Sequence, residues 1–347
     1  MNPLFWQYLA AAELSPGKAR EFLSTLGPSH DPISALMTYP GLSKGVRNRF
    51  AHLDLRKFER ALASGVQVLT EDAYPDSLSG LPGMPPSLFV WGDPMVLHEP
   101  CVGIVGTRRA SAYGKAAARK FAEAFALAGV TVVSGGALGI DAQAHEGALE
   151  AGGKTVAVLG NGVEAAFPQA HAPLFARIRE QGCLVSQFAV GKPSVPENFP
   201  IRNQLVAALC DAVLVVEAPL KSGSLITTTA AAEMGREVFV IPSTINHENF
   251  RGSHALIRDG ATLVDHPDQI FEALGIEPAR QNRTQTSTDA SAGPQGLILG
   301  SLGPEPLRAE QLIEATGLNP EIVMSELTML ELDGLVLRGD GGYSLRP

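Results

Sequence analysis

Between Cys101 and Val264 the sequence repeats one pattern: a short, almost unbroken apolar run, a turn, then a stretch of helical periodicity. The runs fall at 101–105, 130–134, 155–159, 183–187, 212–217, 237–241 and 262–264, with helical patterns such as 114–128 and 141–150 between them. Strands without polar alternation are buried on both faces, and strands separated by helices pair in parallel. The expected core is an α/β doubly wound parallel sheet whose ligands gather beyond the carboxyl ends of its strands. Glycine-rich segments fall at that edge: Ser134-Gly-Gly-Ala-Leu-Gly-Ile-Asp141, Gly160-Asn-Gly162 and Lys221-Ser-Gly-Ser224.

The first strand runs into Gly103-Ile-Val-Gly-Thr-Arg-Arg-Ala-Ser-Ala-Tyr-Gly114. A strand, a glycine turn and a helix start aim several backbone N–H groups at one spot, and the helix dipole makes that spot favour anions. Arg108 and Arg109 add guanidinium forks that match phosphate oxygens. The window 101–120 holds Arg108, Arg109, Lys115, Arg119 and Lys120 and no acid, within a chain of net charge −9. Screening confines each charge to about 8–10 Å, so the local excess counts for more than the acidic sum. A solvated helix face would give the same composition. A dinucleotide reading needs an acid at the end of the second strand, which here ends Val132-Val133-Ser134-Gly135-Gly136. It also needs G-x-G-x-x-G, and Val105 and Arg108 stand where glycines belong. The P-loop pattern is absent.

Asp141 stands at the expected cap of the next helix with His145 one turn on; such a pair could serve a hydrolase, but it reads first as a cap and a histidine hydrogen-bonded to a neighbouring loop. Pro200 suits a helix start, placing Arg202 and Asn203 in its first turn. Lys221–Thr229 combines a lysine with several hydroxyls, which suits an anion. The three cysteines, Cys101, Cys183 and Cys210, are odd in number, widely spaced and set among apolar neighbours, so buried free thiols are expected. No uninterrupted apolar run reaches membrane-spanning length, and Met1–Gln7 lacks the basic and apolar parts of a signal peptide. A cytoplasmic protein without a metal or cofactor is expected.

Residues 1–70 read as short helices. In them Pro40-Gly41-Leu42-Ser43-Lys44-Gly45 resembles the hairpin of a helix-hairpin-helix module, or a plain turn. Val66–Leu69 and Leu88–Trp91 are strand candidates, joined by a proline-rich connector, Tyr74–Pro86. Residues 281–295 read as a flexible linker. Residues 296–347 read as a winged helix, with helices at 306–316 and 319–333 and strands at 335–338 and 343–345. From 295 to 347 eight acids face three arginines. Glu321, Glu326 and Glu331 lie on the second helix, so a packing or protein-contact role is expected there instead of groove insertion.

Taken in series, several motifs resemble the DprA/Smf family of DNA-processing proteins of natural transformation. They are Gly103-Ile-Val-Gly-Thr-Arg108, Ser134–Asp141 with Ala144-His145, Val156-Ala-Val-Leu-Gly160, Phe199-Pro-Ile-Arg-Asn203, Lys221-Ser-Gly-Ser-Leu-Ile-Thr227, Gly235-Arg-Glu-Val-Phe239 and Leu256-Ile-Arg-Asp-Gly-Ala261. The resemblance implies a helical, SAM-like domain (1–70), an extended Rossmann-like domain (71–280), the linker and a winged helix (296–347). It implies a non-catalytic protein that binds single-stranded DNA, hands it to the RecA recombinase and dimerises through the Rossmann-like domain. The implied DNA-binding residues are Gly106, Thr107, Arg108, Arg109, Ser134, Gly135, Gly136, Phe167, Arg202, Asn203, Lys221, Ser222 and Gly223, with Arg108 the clearest. Phe167-Pro168-Gln169, Ser186-Gln187, Gln204, Pro242-Ser243 and Gly252-Ser253-His254 depart from the family's usual pattern. Aromatics near the loops, Tyr113, Phe167 and Phe199, are candidates for stacking on bases. The alternative is a nucleotide-processing enzyme similar to the phosphoribohydrolases, but those place a glutamate close to their glycine loop. Here Lys221–Thr229 has no carboxylate before Glu233.

Overall fold

The structure, a computed structural model, describes residues 1–27, 30–277, 293–302, 306–332, 335–339 and 341–345. The chain forms two compact units, Met1–Ala279 and Arg280–Pro347.

Short helices open the first unit: α1 (Pro3–Ala12), α2 (Pro16–Ser24), α3 (Pro32–Thr38), α4 (Lys44–Ala51) and α5 (Leu55–Ala63). Local chemistry starts them. Proline occupies the first turn of α1, α2 and α3, where its missing N–H costs nothing, and Asn2, Asp31, Ser43 and Asp54 accept backbone N–H groups as caps. Pro40–Ser43 turns from α3 into α4 and buries Leu42. Phe5, Trp6, Phe22, Leu36 and Phe50 pack into one core, which includes Ala189 from beyond the sheet. Gln7 ties the helices to that region in both directions: its Nε2 donates to Val190 O at 2.8 Å, and its Oε1 accepts from Val190 N at 3.0 Å.

A nine-stranded sheet follows, built from β1 (Val66–Thr70), β2 (Ser87–Gly92), β3 (Cys101–Val105), β4 (Thr131–Ser134), β5 (Thr155–Val158), β6 (Cys183–Ser186), β7 (Ala212–Val215), β8 (Glu237–Val240) and β9 (Thr262–Leu263). The order is β1-β2-β6-β5-β4-β3-β7-β8-β9. From β6 through β9 every pairing is parallel, and β2 and β1 add an antiparallel edge. Helices α6 (Ala112–Leu127), α7 (Ile140–Glu150), α8 (Ala172–Gln181), α9 (Asn198–Leu209), α10 (Ser224–Glu233), α11 (Arg251–Arg258) and α12 (Asp268–Leu274) complete the unit. The central strands feed two cores by turns. Val102 and Ile104 pack with Phe121, Phe125 and Ile140 from α6 and α7, whereas Cys101 and Val105 pack with Leu205, Leu209 and Ala231 from α9 and α10. That two-sided burial is why the strands read as unbroken apolar runs. All three cysteines are free and buried. Burial raises the thiols well above their ordinary range.

The second unit contains α13 (Pro294–Ser301), α14 (Ala309–Thr316), α15 (Pro320–Leu332) and the antiparallel pair β10 (Val336–Gly339) and β11 (Gly342–Leu345). Its core is Ile298, Leu302, Leu312, Val323, Leu327, Leu330, Val336 and Tyr343. Helix α13 corrects the expected boundary, because residues 294–295 are helical and not linker. The rest of the expected linker, 281–292, lies outside the described residues. The segment 306–308 is not helical, since Leu307 exchanges backbone hydrogen bonds with Tyr343 instead. Glu326 is half-buried and accepts from Gln295 Nε2 of α13 at 2.6 Å, whereas Glu321 and Glu331 are exposed.

Candidate functional site

Strand β3 lies between β4 and β7, so the chain leaves it toward one side of the sheet while the next neighbour belongs to the other. A crevice at the carboxyl edge is the geometric result. Its lining comes from Gly106–Arg109 after β3, Gly135, Ala137 and Asp141 after β4, Pro219 and Lys221–Ser224 after β7, Ile226 and Thr227 of α10, and one side of α9. Together they enclose a cleft of about 470 Å³. A smaller pocket of about 130 Å³ adjoins it, lined by Leu138, Leu159, Phe167 and Pro168 and sharing Arg108, Gly135, Phe199 and Arg202 with the cleft.

Close backbone approach explains two of the glycines. A Cβ on Gly135 would meet the Arg202 guanidinium at 2.6 Å and Asp141 Oδ2 at 2.7 Å. Gly139 has φ 83°, a left-handed conformation, where its backbone crosses that of Thr107 and Arg108. Gly139, and not Asp141, occupies the cap of α7. The Asp141 carboxylate instead accepts from Ala137 N at 3.2 Å, closing the turn from within.

Helix α9 begins at Asn198, two residues before Pro200, so Arg202 and Asn203 sit one turn deeper than expected. Asn198 Nδ2 holds the helix start to Gly160 O at 2.7 Å. Arg202 is only 4% exposed. One of its terminal nitrogens donates to the carbonyls of both Gly135 and Val158, the latter at 2.6 Å, and its Nε donates to Asn203 Oδ1 at 3.0 Å. Asn203 in turn donates to Gly223 O at 3.0 Å, which joins α9 to the loop after β7. Arg202 is therefore a strut that ties three walls together. Burial brings its pKa down to about 10, with the nearby Asp141 charge opposing the shift, so it stays protonated at neutral pH. Burial likewise raises the Asp141 carboxyl, against the pull of Arg202.

Arg108, Arg109 and Lys221 are exposed and line the cleft. Among the described residues none of them forms an ion pair with a carboxylate. The Arg108 guanidinium lies over the Phe199 ring. Phe199 lies 6.0 Å, centroid to centroid, from Phe167, which is 46% exposed in the adjoining pocket. The structure thus brings Gly106, Thr107, Arg108, Arg109, Gly135, Arg202, Asn203, Lys221, Ser222 and Gly223 to one cleft. Ser134 and Gly136 stay out of it. Ser134 is fully buried and donates to Ile104 O at 2.6 Å, whereas Gly136 backs onto Phe175 and its carbonyl bonds the His171 ring at 3.0 Å.

The rest of the basic window disperses. Lys115, Arg119 and Lys120 lie along α6 and do not line the cleft, and Arg119 pairs with Glu150 of α7. Tyr113 is also elsewhere: its hydroxyl donates to Pro242 O at 3.0 Å and its ring packs on Phe250. His145 is fully buried, with Nδ1 2.7 Å from the Thr155 hydroxyl of β5, so its partner is a strand residue and not a loop.

Sequence reasoning missed Glu217 and Asn249. Glu217 follows β7, is fully buried, and accepts from Ser111 N at 2.9 Å, Ser111 Oγ at 2.8 Å and Asn249 Nδ2 at 2.5 Å. Its backbone carbonyl accepts from Thr107 N at 2.7 Å. Asn249 Nδ2 also reaches Arg109 O at 3.1 Å. The one signal in the sequence was an acid closing an otherwise apolar run, a residue that must find buried donors.

Residues 65–275 match the family model of DNA recombination-mediator protein A, and residues 281–342 match that of the DprA winged helix domain. The chain belongs to the DprA family. It is 40% identical over 277 residues to Protein Smf of Escherichia coli (strain K12), spanning 78% of this chain and 74% of that one. To the DNA processing protein DprA of Streptococcus pneumoniae (strain R6) it is 39% identical over 203 residues, 58% of this chain and 72% of that one. The X-ray structure of the Streptococcus pneumoniae DprA superimposes with a TM-score of 0.67 at 30% identity, covering 78% of this chain and 98% of that chain. The Helicobacter pylori DprA gives 0.55 at 30% identity, over 61% and 97%. These DprA proteins share the Rossmann-like sheet described above, and the second unit is the DprA winged helix.

Proposed function

We propose that the cleft binds single-stranded DNA, and that the protein, without catalysing a reaction, delivers that strand to the RecA recombinase during natural transformation and homologous recombination. The observation that carries the reading is the convergence of Arg108, Arg109 and Lys221, free of carboxylate partners, on a cleft that also contains Phe199. Cations in that arrangement suit successive phosphates, and the ring suits an unstacked base. The Helicobacter pylori DprA binds single-stranded DNA, which supports the assignment. A family described as recombination mediators supports the recombinase step. The homodimer through the Rossmann-like domain is proposed from the family resemblance alone. Ser222, Gly223 and Asn203 complete the proposed contact surface, with Phe167 at its far end.

The acid that lines the cleft, Asp141, is held by Ala137 N and faces Arg202, which suits structure better than N-glycosidic bond cleavage. Among the described residues no helix is long and apolar enough to cross a membrane. The deciding experiment is a titration of labelled single- and double-stranded oligonucleotides at two salt concentrations, beside chromatography of nucleoside monophosphates for released base. Preferential, salt-sensitive binding of the single strand with no released base is expected. Equal binding of the duplex, or base release, would overturn the reading. Addition of RecA to preformed complexes should increase the rate of filament growth on the strand.

A further inference from the structure

We propose that Glu217 acts as a built-in anion, whose carboxylate fills the helix start where a Rossmann fold receives a pyrophosphate and thereby fixes the arginine loop for a polynucleotide beside it. In dinucleotide-binding sheets the pyrophosphate sits on the N–H groups of the first helix, directly after the first strand. The corresponding helix here is α6, after β3. Its start is taken. Both carboxylate oxygens of Glu217 lie within hydrogen-bond reach of Ser111 N, at 2.9 and 3.1 Å, and the Ser111 hydroxyl adds a second donor. Gly114 leaves the space, because a Cβ there would collide with Glu217 Oε2. Glu217 is fully buried and lies two residues after β7, which pairs directly with β3, so it cannot swing away as a surface acid would.

The same carboxylate reaches outward. Asn249 Nδ2 bridges Glu217 Oε1 and the Arg109 carbonyl. Thr107 N is held by the Glu217 backbone. The segment Thr107–Ser111 is thus tied at Thr107, Arg109 and Ser111, and the residues between those ties include Arg108. A backbone fixed at these points has less conformational freedom to lose on binding, and that preorganisation adds affinity to the cations it presents. Glu217 and Asn249 are positioning residues: the charge they hold in place is that of Arg108 and Arg109. Glu217 also acts on specificity, since a nucleotide cofactor would meet a carboxylate where it needs N–H groups.

This deepens the proposed single-strand reading and rests on it for the affinity measurement alone. Two variants test it. Asn249→Ala removes the bridge to Arg109 without emptying a buried charge. Glu217→Gln removes the charge and sets an amide N–H₂ against donors, so the side chain is driven from its seat and opens it to another anion. For Asn249→Ala we expect single-strand affinity about tenfold weaker, the size of one charge-assisted hydrogen bond. The salt slope should become shallower by about 0.7 for each phosphate that is no longer gripped, a readout that loss of stability alone would not move in a protein still folded at the assay temperature. An unchanged affinity and slope would overturn the clamp. In the second measurement inorganic pyrophosphate is titrated while the Ser111 amide resonance is followed. The parent resonance should stay in place and that of Glu217→Gln should move. A shift of equal size in both proteins would overturn the built-in anion. If Glu217→Gln does not fold, a shift of the parent's Ser111 amide on adding pyrophosphate still overturns the idea and its constancy still supports it. A parent protein that ignores single strands would sink the DNA reading and leave the pyrophosphate result to decide Glu217.

Discussion

The guanidinium carbon of Arg108 lies 5.1 Å from the centroid of the Phe199 ring. Arg202 approaches the same ring at 5.7 Å, yet it is buried and bonded to two backbone carbonyls, whereas Arg108 is exposed. Two arginines on one aromatic therefore differ in what they do. One holds walls together, and the other has donors free for a ligand.

Arg108→Ala should weaken single-strand binding about tenfold and flatten the salt slope by about 0.7, because one phosphate goes without its cation. Anisotropy titrations at several salt concentrations check both numbers. Stability should change by no more than about 1 kcal/mol, the size of an exposed cation–π contact.

Phe199→Ala separates stacking from charge. Affinity should fall by about 1–3 kcal/mol with the salt slope intact, since a ring releases no counterions. A slope that falls as well would mean that the ring works by holding Arg108 in place.

Arg202→Lys should act on stability first. Lysine lacks the planar fork and cannot bond Gly135 O, Val158 O and Asn203 together, so at least one buried acceptor is left unpaired at a cost of about 1–3 kcal/mol. Urea unfolding measures that loss. The salt slope of binding should fall by less than it does in Arg108→Ala.

His145 gives the fold an acid limit. Burial holds its pKa down at about 3, from an ordinary 6.5. Between those values the unfolded chain binds a proton that the folded chain refuses, so this contribution is favourable above 6.5 and is lost as pH falls toward 3. At pH 5 the loss is about 2 kcal/mol. Urea midpoints at pH 7 and pH 5 should therefore draw closer together in His145→Gln than in the parent.

The sheet was legible because its strands are apolar on both faces, and the runs at Cys101–Val105 and Ala212–Val215 needed no tertiary information to be recognised. Helix Pro294–Ser301 was not, since PQGLILGS carries two glycines and little intrinsic helix preference; packing of Ile298 into the winged-helix core supplies what propensity lacks. In the cleft, residue type placed Arg108, Lys221 and Arg202 at the same edge. It could not distinguish the arginine that faces solvent from the one turned inward, because the carbonyls of Gly135 and Val158 lie far from Arg202 in sequence. Glu217 escaped notice for the same reason: Ser111 and Asn249, its partners, belong to other loops.

The paired hydrogen bonds between Gln7 and Val190 imitate a rung of β-ladder with a side-chain amide. Removing the first helices would strip both partners from a buried peptide group and uncover Ala189 at the same time. The opening helices and the sheet should accordingly melt in one calorimetric transition, and a protein trimmed back to β1 should be harder to keep soluble than its size suggests.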